Sequence, residues 1–195
     1  VLKLADEHGI YLKIDNKYQY FTEEQKEAFF KLIKPYERTA CLTCSYLEEI
    51  EQAAALFPKM NFHFDGTVTK ENLERLSEIV PKEKLTVWMP YKNSATSWVK
   101  LPFADSETAG LIKKYARLGI WTLSEYSELE DAVCLGADVI ETNGQIKPEN
   151  NNKIIADMHT HSVNSHDSVC EMEDMCLMQI KRGAKIFAVT DHCDV

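Results

Sequence analysis

Six times in the first 146 residues a short apolar, β-branched run gives way to an amphipathic stretch of helical period, and this alternation constrains the fold more than any other feature. The runs expected as strands are Ile10–Asp15, Thr39–Cys44, Asn61–Asp65, Leu85–Met89, Gly119–Leu123 and Asp138–Glu141. Strands that alternate with helices at such spacing pair in parallel, because each crossover returns the chain to the same edge of the sheet.

The helices between them announce their own ends. Thr22-Glu-Glu-Gln25 has the spacing of a capping box, the stripe Ala28, Phe29, Leu32, Ile33 follows, and Pro35 stops the run. Tyr46–Phe57 carries Leu47, Ile50, Ala54 and Phe57 on one face, and Thr69–Val80 carries Leu73, Leu76 and Val80 behind a Thr cap. Ser106–Leu118 and Ser124–Leu135 repeat the device, with Gly119 and Gly136 placed to end them in a left-handed conformation.

The fold class is therefore α/β, and the series reads as a partial TIM-type (βα)8 barrel of about six βα units. A closed barrel of this kind has eight strands and ~250 residues. The chain starts at Val1 and stops at Val195, directly after a His-Asp-Cys cluster, and reads as a piece of something longer, with two barrel strands expected before Val1. Lys147–Lys153, with Pro and three Asn, reads as a linker between a first domain (1–146) and a second (154–195). In the second, Ile154–Met158 and Lys185–Thr190 are expected strands and Met172–Arg182 an expected helix, with Gly183 as its C-cap. Closure of the barrel by these last two strands is the other topology; the Asn-rich linker favours two units.

Composition narrows the function. With 22 basic and 31 acidic residues the formal charge is −9, and no local basic patch offsets it, which excludes bulk nucleic-acid binding. No apolar run reaches the ~18 residues of a membrane span. Net acidity suits a protein that gathers divalent cations around carboxylates. Cys41 and Cys44 form a C-x-x-C, but on a strand the i and i+3 side chains face opposite ways, so buried reduced thiols are expected there.

Chemistry is concentrated at the C-terminal end, where four of the six histidines lie. In Asp157-Met-His159-Thr-His161-Ser162 two imidazoles stand at i and i+2, on the same side of an extended backbone, where one cation can accept both nitrogens at about 2.0–2.1 Å. Asp167 follows six residues later, and Thr190-Asp191-His192 ends the next expected strand. Parallel strands deliver their C-terminal ends to one crevice, so these groups converge. His166 is an alternative to Asp167, Asp157 and Asp191 are candidates to orient ligand imidazoles, and Cys193 reads as a loop cysteine.

These residues, with Ser165-His-Asp167 and Gly183, resemble the opening of a PHP (polymerase and histidinol phosphatase) domain over residues 153–195. The resemblance implies the first two strands of a PHP-type βα barrel and phosphoester hydrolysis by clustered divalent metals. It implies that His159 and His161 bind the first metal and that Asp167 and His192 help bind another. Mixed imidazole and carboxylate ligands admit Zn, Mn or Fe. Such ions lower the pKa of a bound water toward neutrality and offset phosphate charge.

The first 148 residues resemble, through the order of several short motifs, the barrel of glycerophosphodiester phosphodiesterases. His8-Gly-Ile-Tyr-Leu-Lys-Ile-Asp15-Asn-Lys17, Thr43-Cys-Ser45-Tyr46, Gly119-Ile-Trp121-Thr-Leu123 and Gly136-Ala-Asp-Val-Ile140 through Thr142-Asn143 stand in that family's order. The resemblance implies that Asp15 takes the place of a metal-binding Glu, Lys17 that of a catalytic-site Lys, and Trp121 part of the substrate wall. A register with Lys13 and Asp15 in those places is the alternative. Mg or Ca would suit such an acid. The family's His-Arg-Gly, Glu-x-Asp and His-Asp elements have no counterpart here, and Ser124 replaces an Asn.

Two functions follow. One is part of a metal-dependent phosphoesterase acting on a small phosphoester, with both halves chemical. The other is a catalytically inactive barrel scaffold that binds or positions a partner, with any chemistry confined to the second domain.

Overall fold

The computed structural model describes residues 1–14, 20–143, 156–165, 168–182 and 186–191. The elements run α1 (Leu2–Glu7), β1 (Leu12–Ile14), α2 (Glu23–Ile33), β2 (Ala40–Cys44), α3 (Leu47–Leu56), β3 (Asn61–Phe64), α4 (Lys70–Ile79), β4 (Leu85–Pro90), α5 (Ser106–Tyr115), β5 (Arg117–Leu123), α6 (Tyr126–Cys134), β6 (Val139–Thr142), β7 (Ala156–Thr160), α7 (Met172–Arg182) and β8 (Ile186–Val189). Strands β1 to β6 lie in sequential order in one six-stranded sheet, while β7 and β8 form a sheet of their own. Sequential parallel strands alternating with helices are the arrangement of a partial βα barrel. The expected linker at 147–153, Ile155 and Gly183 lie outside the described residues.

The chain divides into two compact units, Val1–Trp88 with Gly110–Leu118, and Met89–Ala109 with Gly119–Val195. In the first, β1 pairs in parallel with β2, β2 with β3 and β3 with β4. Register sorts the side chains into two faces. Leu42, Phe62, Phe64, Leu85 and Val87 share one, and all are buried, as are Ile33, Ile50, Leu73 and Leu76 from the helices. Burial of each large apolar side chain contributes ~1.5–3 kcal/mol, so this face is the core of the unit.

The opposite face is mixed: Lys13, Cys41, Thr43, Asn61, His63 and Thr86 share it by register, and Trp88 follows Thr86 at period two. Cys41 and Cys44 thus point to opposite faces; both are buried and no disulfide joins them.

Helix starts follow the local chemistry. Thr22 Oγ1 accepts from the Gln25 N–H at 3.2 Å and Gln25 Oε1 from the Thr22 N–H at 2.9 Å, completing the expected capping box. Thr69 Oγ1 caps α4 through the Asn72 N–H at 3.1 Å. Gly136 ends α6 with φ +73°, as expected.

Gly119 does not play that part. The fifth helix stops at Tyr115 rather than Leu118, and Gly119 sits inside β5, in register with Val139. Ala116 still closes the last helical turn through its N–H on the Ile112 carbonyl at 2.8 Å, whereas Leu118, which continues the helical stripe in sequence, is taken by the strand and buried there. A second unforeseen element is α1: six residues are too few for a period to be legible.

In the second unit β5 pairs in parallel with β6, and β7 with β8. Helices α6 and α7 pack together. Among the described residues no helix is long and apolar enough to cross a membrane.

Candidate functional site

The C-terminal site is built on the β7–β8 pair. Ala156 stands opposite Ile186, Asp157 opposite Phe187 and Thr160 opposite Val189, with a register irregularity between. The segments leaving the two strands are tied directly. Asp191 accepts both the backbone N–H and the hydroxyl of Ser162. These two bonds, the hydroxyl first, hold the Asp191 carboxyl below its usual range.

His161 follows β7, and its Nδ1 lies 3.1 Å from Ser165 Oγ. Ser165 is itself buried, so this contact fixes the ring's orientation from inside the loop. The loop closes on itself: Ser168 Oγ donates to the His161 carbonyl at 2.8 Å, and the Val163 N–H donates to the Cys170 carbonyl at 2.8 Å. An imidazole held at Nδ1 presents Nε2 for coordination, which is the usual division of labour around a ligating histidine.

Of the expected ligands, His161 has a described side chain and His159 a described backbone in β7. Asp167 and His192, with the alternative His166 and Cys193, lie outside the described residues. Among the described residues no group of three or more His, Cys, Asp or Glu side chains is placed to hold a metal. His161 stands at the C-terminal edge of a parallel strand pair, its ring anchored by a hydroxyl, and imidazole is a donor that divalent metals of the Zn, Mn or Fe kind accept. Ser162 and Ser165 stand in the motif that carries the resemblance, but their hydrogen bonds to Asp191 and to His161 were not foreseen there.

Asp15 and Lys17, expected at the barrel edge, also lie outside the described residues. The described part of β1 carries Lys13, whose Nζ sits 4.3 Å from the centroid of the Trp88 ring. On the same face the Trp88 indole N–H donates to His63 Nδ1 at 2.9 Å, and both side chains are buried. Burial first, then the nearby charges of Lys13 and Arg117, push the His63 imidazole down to about 3. His63 is thus a neutral, packed histidine.

At the ends of β2 and β3, Ser45 Oγ donates to Asp65 at 2.7 Å. Glu49 Oε2 accepts the N–H groups of Ser45 and Tyr46 at 3.1 and 3.2 Å. Burial raises the Glu49 carboxyl above its ordinary range despite these bonds. The pair Ser45–Asp65 stands where ligands approach a parallel sheet, and Asp65 was not foreseen.

Trp121, the expected substrate wall, lies in β5 beside Trp98, with ring centroids 6.2 Å apart. Trp98 comes from the 91–105 connection and is largely exposed. That connection is held by the Tyr91 N–H on the Trp121 carbonyl at 2.6 Å and by Asn93 Nδ2 on the Thr122 carbonyl and Glu128 Oε1, both at 2.9 Å. The result is an aromatic corner at the C-terminal edge of the strand.

No protein-family model matches the chain, and no curated protein matches it either.

Proposed function

We propose that the chain is part of a metal-dependent phosphoesterase whose chemistry lies at the C-terminal edge of the β7–β8 pair. His159, His161, Asp167 and His192 would hold divalent metal, of the Zn, Mn or Fe kind, and a small phosphoester would be the substrate. The observation that supports this most is the double hydrogen bond from Ser162 to Asp191, which draws together the segments leading from His161 and toward His192. A bound divalent cation would supply a water acidified toward neutrality and charge to offset the phosphate. Ser165 would hold the His161 ring in its coordinating orientation.

For the first 148 residues the separate resemblance to glycerophosphodiester phosphodiesterases would give Asp15, Lys17 and Trp121 a part in phosphodiester hydrolysis, with Mg or Ca as the suited ion. The scaffold reading has an observation of its own. On the mixed face of the first unit a buried His63 accepts from Trp88, and Lys13 overlies the Trp88 ring, an arrangement for which packing alone accounts.

Metal analysis of the purified chain tests the proposal. Zn or Mn retained by the wild type and lost from His159→Ala and His161→Ala supports it. Equal metal content in all three overturns it. Loss of metal from Asp15→Ala instead would move the chemistry to the barrel.

A further inference from the structure

The turn that leads from β2 into α3 has a counterpart between β5 and α6. Ser45 and Ser124 each follow a strand, and a glutamate four residues on folds back over the turn. Glu49 Oε2 accepts the Ser45 and Tyr46 N–H groups, and Glu128 Oε2 accepts those of Ser124 and Glu125. The residue after the neighbouring strand completes each arrangement. The Asp65 N–H donates to the Cys44 carbonyl at 3.1 Å, and the Asn143 N–H to the Leu123 carbonyl at 2.8 Å. Both side chains meet the serine: Ser45 Oγ donates to Asp65 Oδ1 at 2.7 Å, and Ser124 Oγ accepts from Asn143 Nδ2 at 3.2 Å.

The two copies differ in charge. In the second, neutral amides complete the set, with Asn143 on the serine and Asn93 Nδ2 on Glu128 Oε1 at 2.9 Å. In the first, Asp65 stands in place of Asn143, and nothing takes the part of Asn93. Glu49 Oε1 is buried without a hydrogen-bond partner, in a residue only 8% exposed. Asn93 belongs to the connection that leaves β4, so Glu128 Oε1 faces the C-terminal edge of the strands, and the matched backbone bonds give Glu49 Oε1 the same heading. That edge is where ligands approach a parallel sheet. Among the described residues no lysine or arginine forms an ion pair with Glu49 or Asp65. Burial foremost, with the charge of Asp65 adding to it, raises the Glu49 carboxyl.

We propose that Glu49 and Asp65 share a hydrated divalent cation of the Mg kind at the ends of β2 and β3. Glu49 Oε1 and Asp65 Oδ2, the oxygens left over from the bonds to Ser45, are the protein ligands, and waters fill the other positions. The segments that carry them abut, because a Cβ on Gly66 would lie 2.2 Å from the Ser45 carbonyl oxygen.

The donor set selects the ion. Mg gives up its water reluctantly and is held by one or two carboxylates, so a pair suffices. Ca asks for about six to eight oxygens. Among the described residues no group of three or more His, Cys, Asp or Glu side chains is placed to supply a fuller shell. The cation does for Glu49 what the Asn93 amide does for Glu128, and it also offsets the charge of Asp65. Oxygen ligands without imidazole distinguish this site from the one proposed around His159 and His161.

The test is a titration of the full chain with Mn, read by electron paramagnetic resonance of the free ion. It is made with His159→Ala and His161→Ala in place, so that those imidazoles take no part. One Mn bound per chain and displaced by excess Mg supports the proposal. Affinity should fall roughly tenfold or more in Glu49→Gln and in Asp65→Asn, and hold in Glu128→Gln. Absence of Mn binding overturns the proposal, and so does unchanged affinity in either Glu49→Gln or Asp65→Asn. A second measurement needs no variant at these positions: substoichiometric Mn should broaden the amide NMR signals of Ser45, Tyr46 and Gly66 before any others. Broadening centred elsewhere overturns the proposal even where a variant fails to fold.

Discussion

Trp88 donates its indole N–H to His63 Nδ1 at 2.9 Å, across two neighbouring parallel strands and within a buried face. The acceptor nitrogen must carry no proton, so the bond exists only with a neutral imidazole. Protonation would both break it and place a cation beside Lys13 and Arg117.

The pH dependence follows from this. His63 holds about 3 in the folded chain, against an ordinary value near ~6.5 when unfolded. Between those values the unfolded chain binds the extra proton, so the contribution is complete above the unfolded pKa and is lost as pH falls toward 3. The slope from this one residue is up to ~1.4 kcal/mol per pH unit. Denaturant unfolding of wild type and His63→Gln at pH 7.5, 6, 5 and 4 checks it. The variant should start less stable and fall less steeply; parallel curves would refute the assignment.

Gly66 and Gly110 should respond oppositely to alanine. A Cβ on Gly66 would lie 2.2 Å from the Ser45 carbonyl oxygen and 2.6 Å from the Phe64 ring, and neither can retreat: one is backbone, the other is core. Gly66→Ala should cost ~1–3 kcal/mol. At Gly110, inside α5, nothing lies within 4 Å of the added carbon. Gly110→Ala should gain roughly 0.5–1 kcal/mol from helix propensity. Urea midpoints of the two variants against the wild type decide both.

The capping box of α2 offers a calibration. Thr22→Ala removes the side-chain acceptor for the Gln25 N–H at an exposed helix start and should cost ~1 kcal/mol. Thr22→Ser should recover most of it. A midpoint for Thr22→Ala equal to that of the wild type would show that the helix is held by its packing alone.

What could be read from the residues depended on how local the physics was. Thr22-Glu-Glu-Gln25 and Gly136 were legible because capping is settled within four residues. The β5 start was not: Arg117 and Leu118 extend a helical pattern, and only their place in the sheet takes them out of the expected helix. The same holds for side chains. His159-x-His161 announces itself by spacing, whereas His63 depends on Trp88, twenty-five residues away, and Asn93 on Thr122 and Glu128. Such partners become visible only through strand register and loop placement, which sequence does not print.

Ser165 gives the sharpest handle on the proposed metal site. It is buried, and its Oγ lies 3.1 Å from His161 Nδ1, so in the proposed site its part would be to orient His161 without binding the ion. Removing such an orienting partner costs roughly tenfold to a hundredfold in metal affinity, whereas removing the ligand abolishes binding. Zn titration of the full chain should therefore rank wild type above Ser165→Ala, and Ser165→Ala above His161→Ala. Ser165→Thr keeps a hydroxyl and should lie close to the wild type if it is accommodated. The titration must be paired with thermal unfolding of each variant without metal. An affinity loss in Ser165→Ala that exceeds any change in metal-free stability marks orientation of His161. A loss that merely follows a lower melting point would mark Ser165 as a packing residue of the loop.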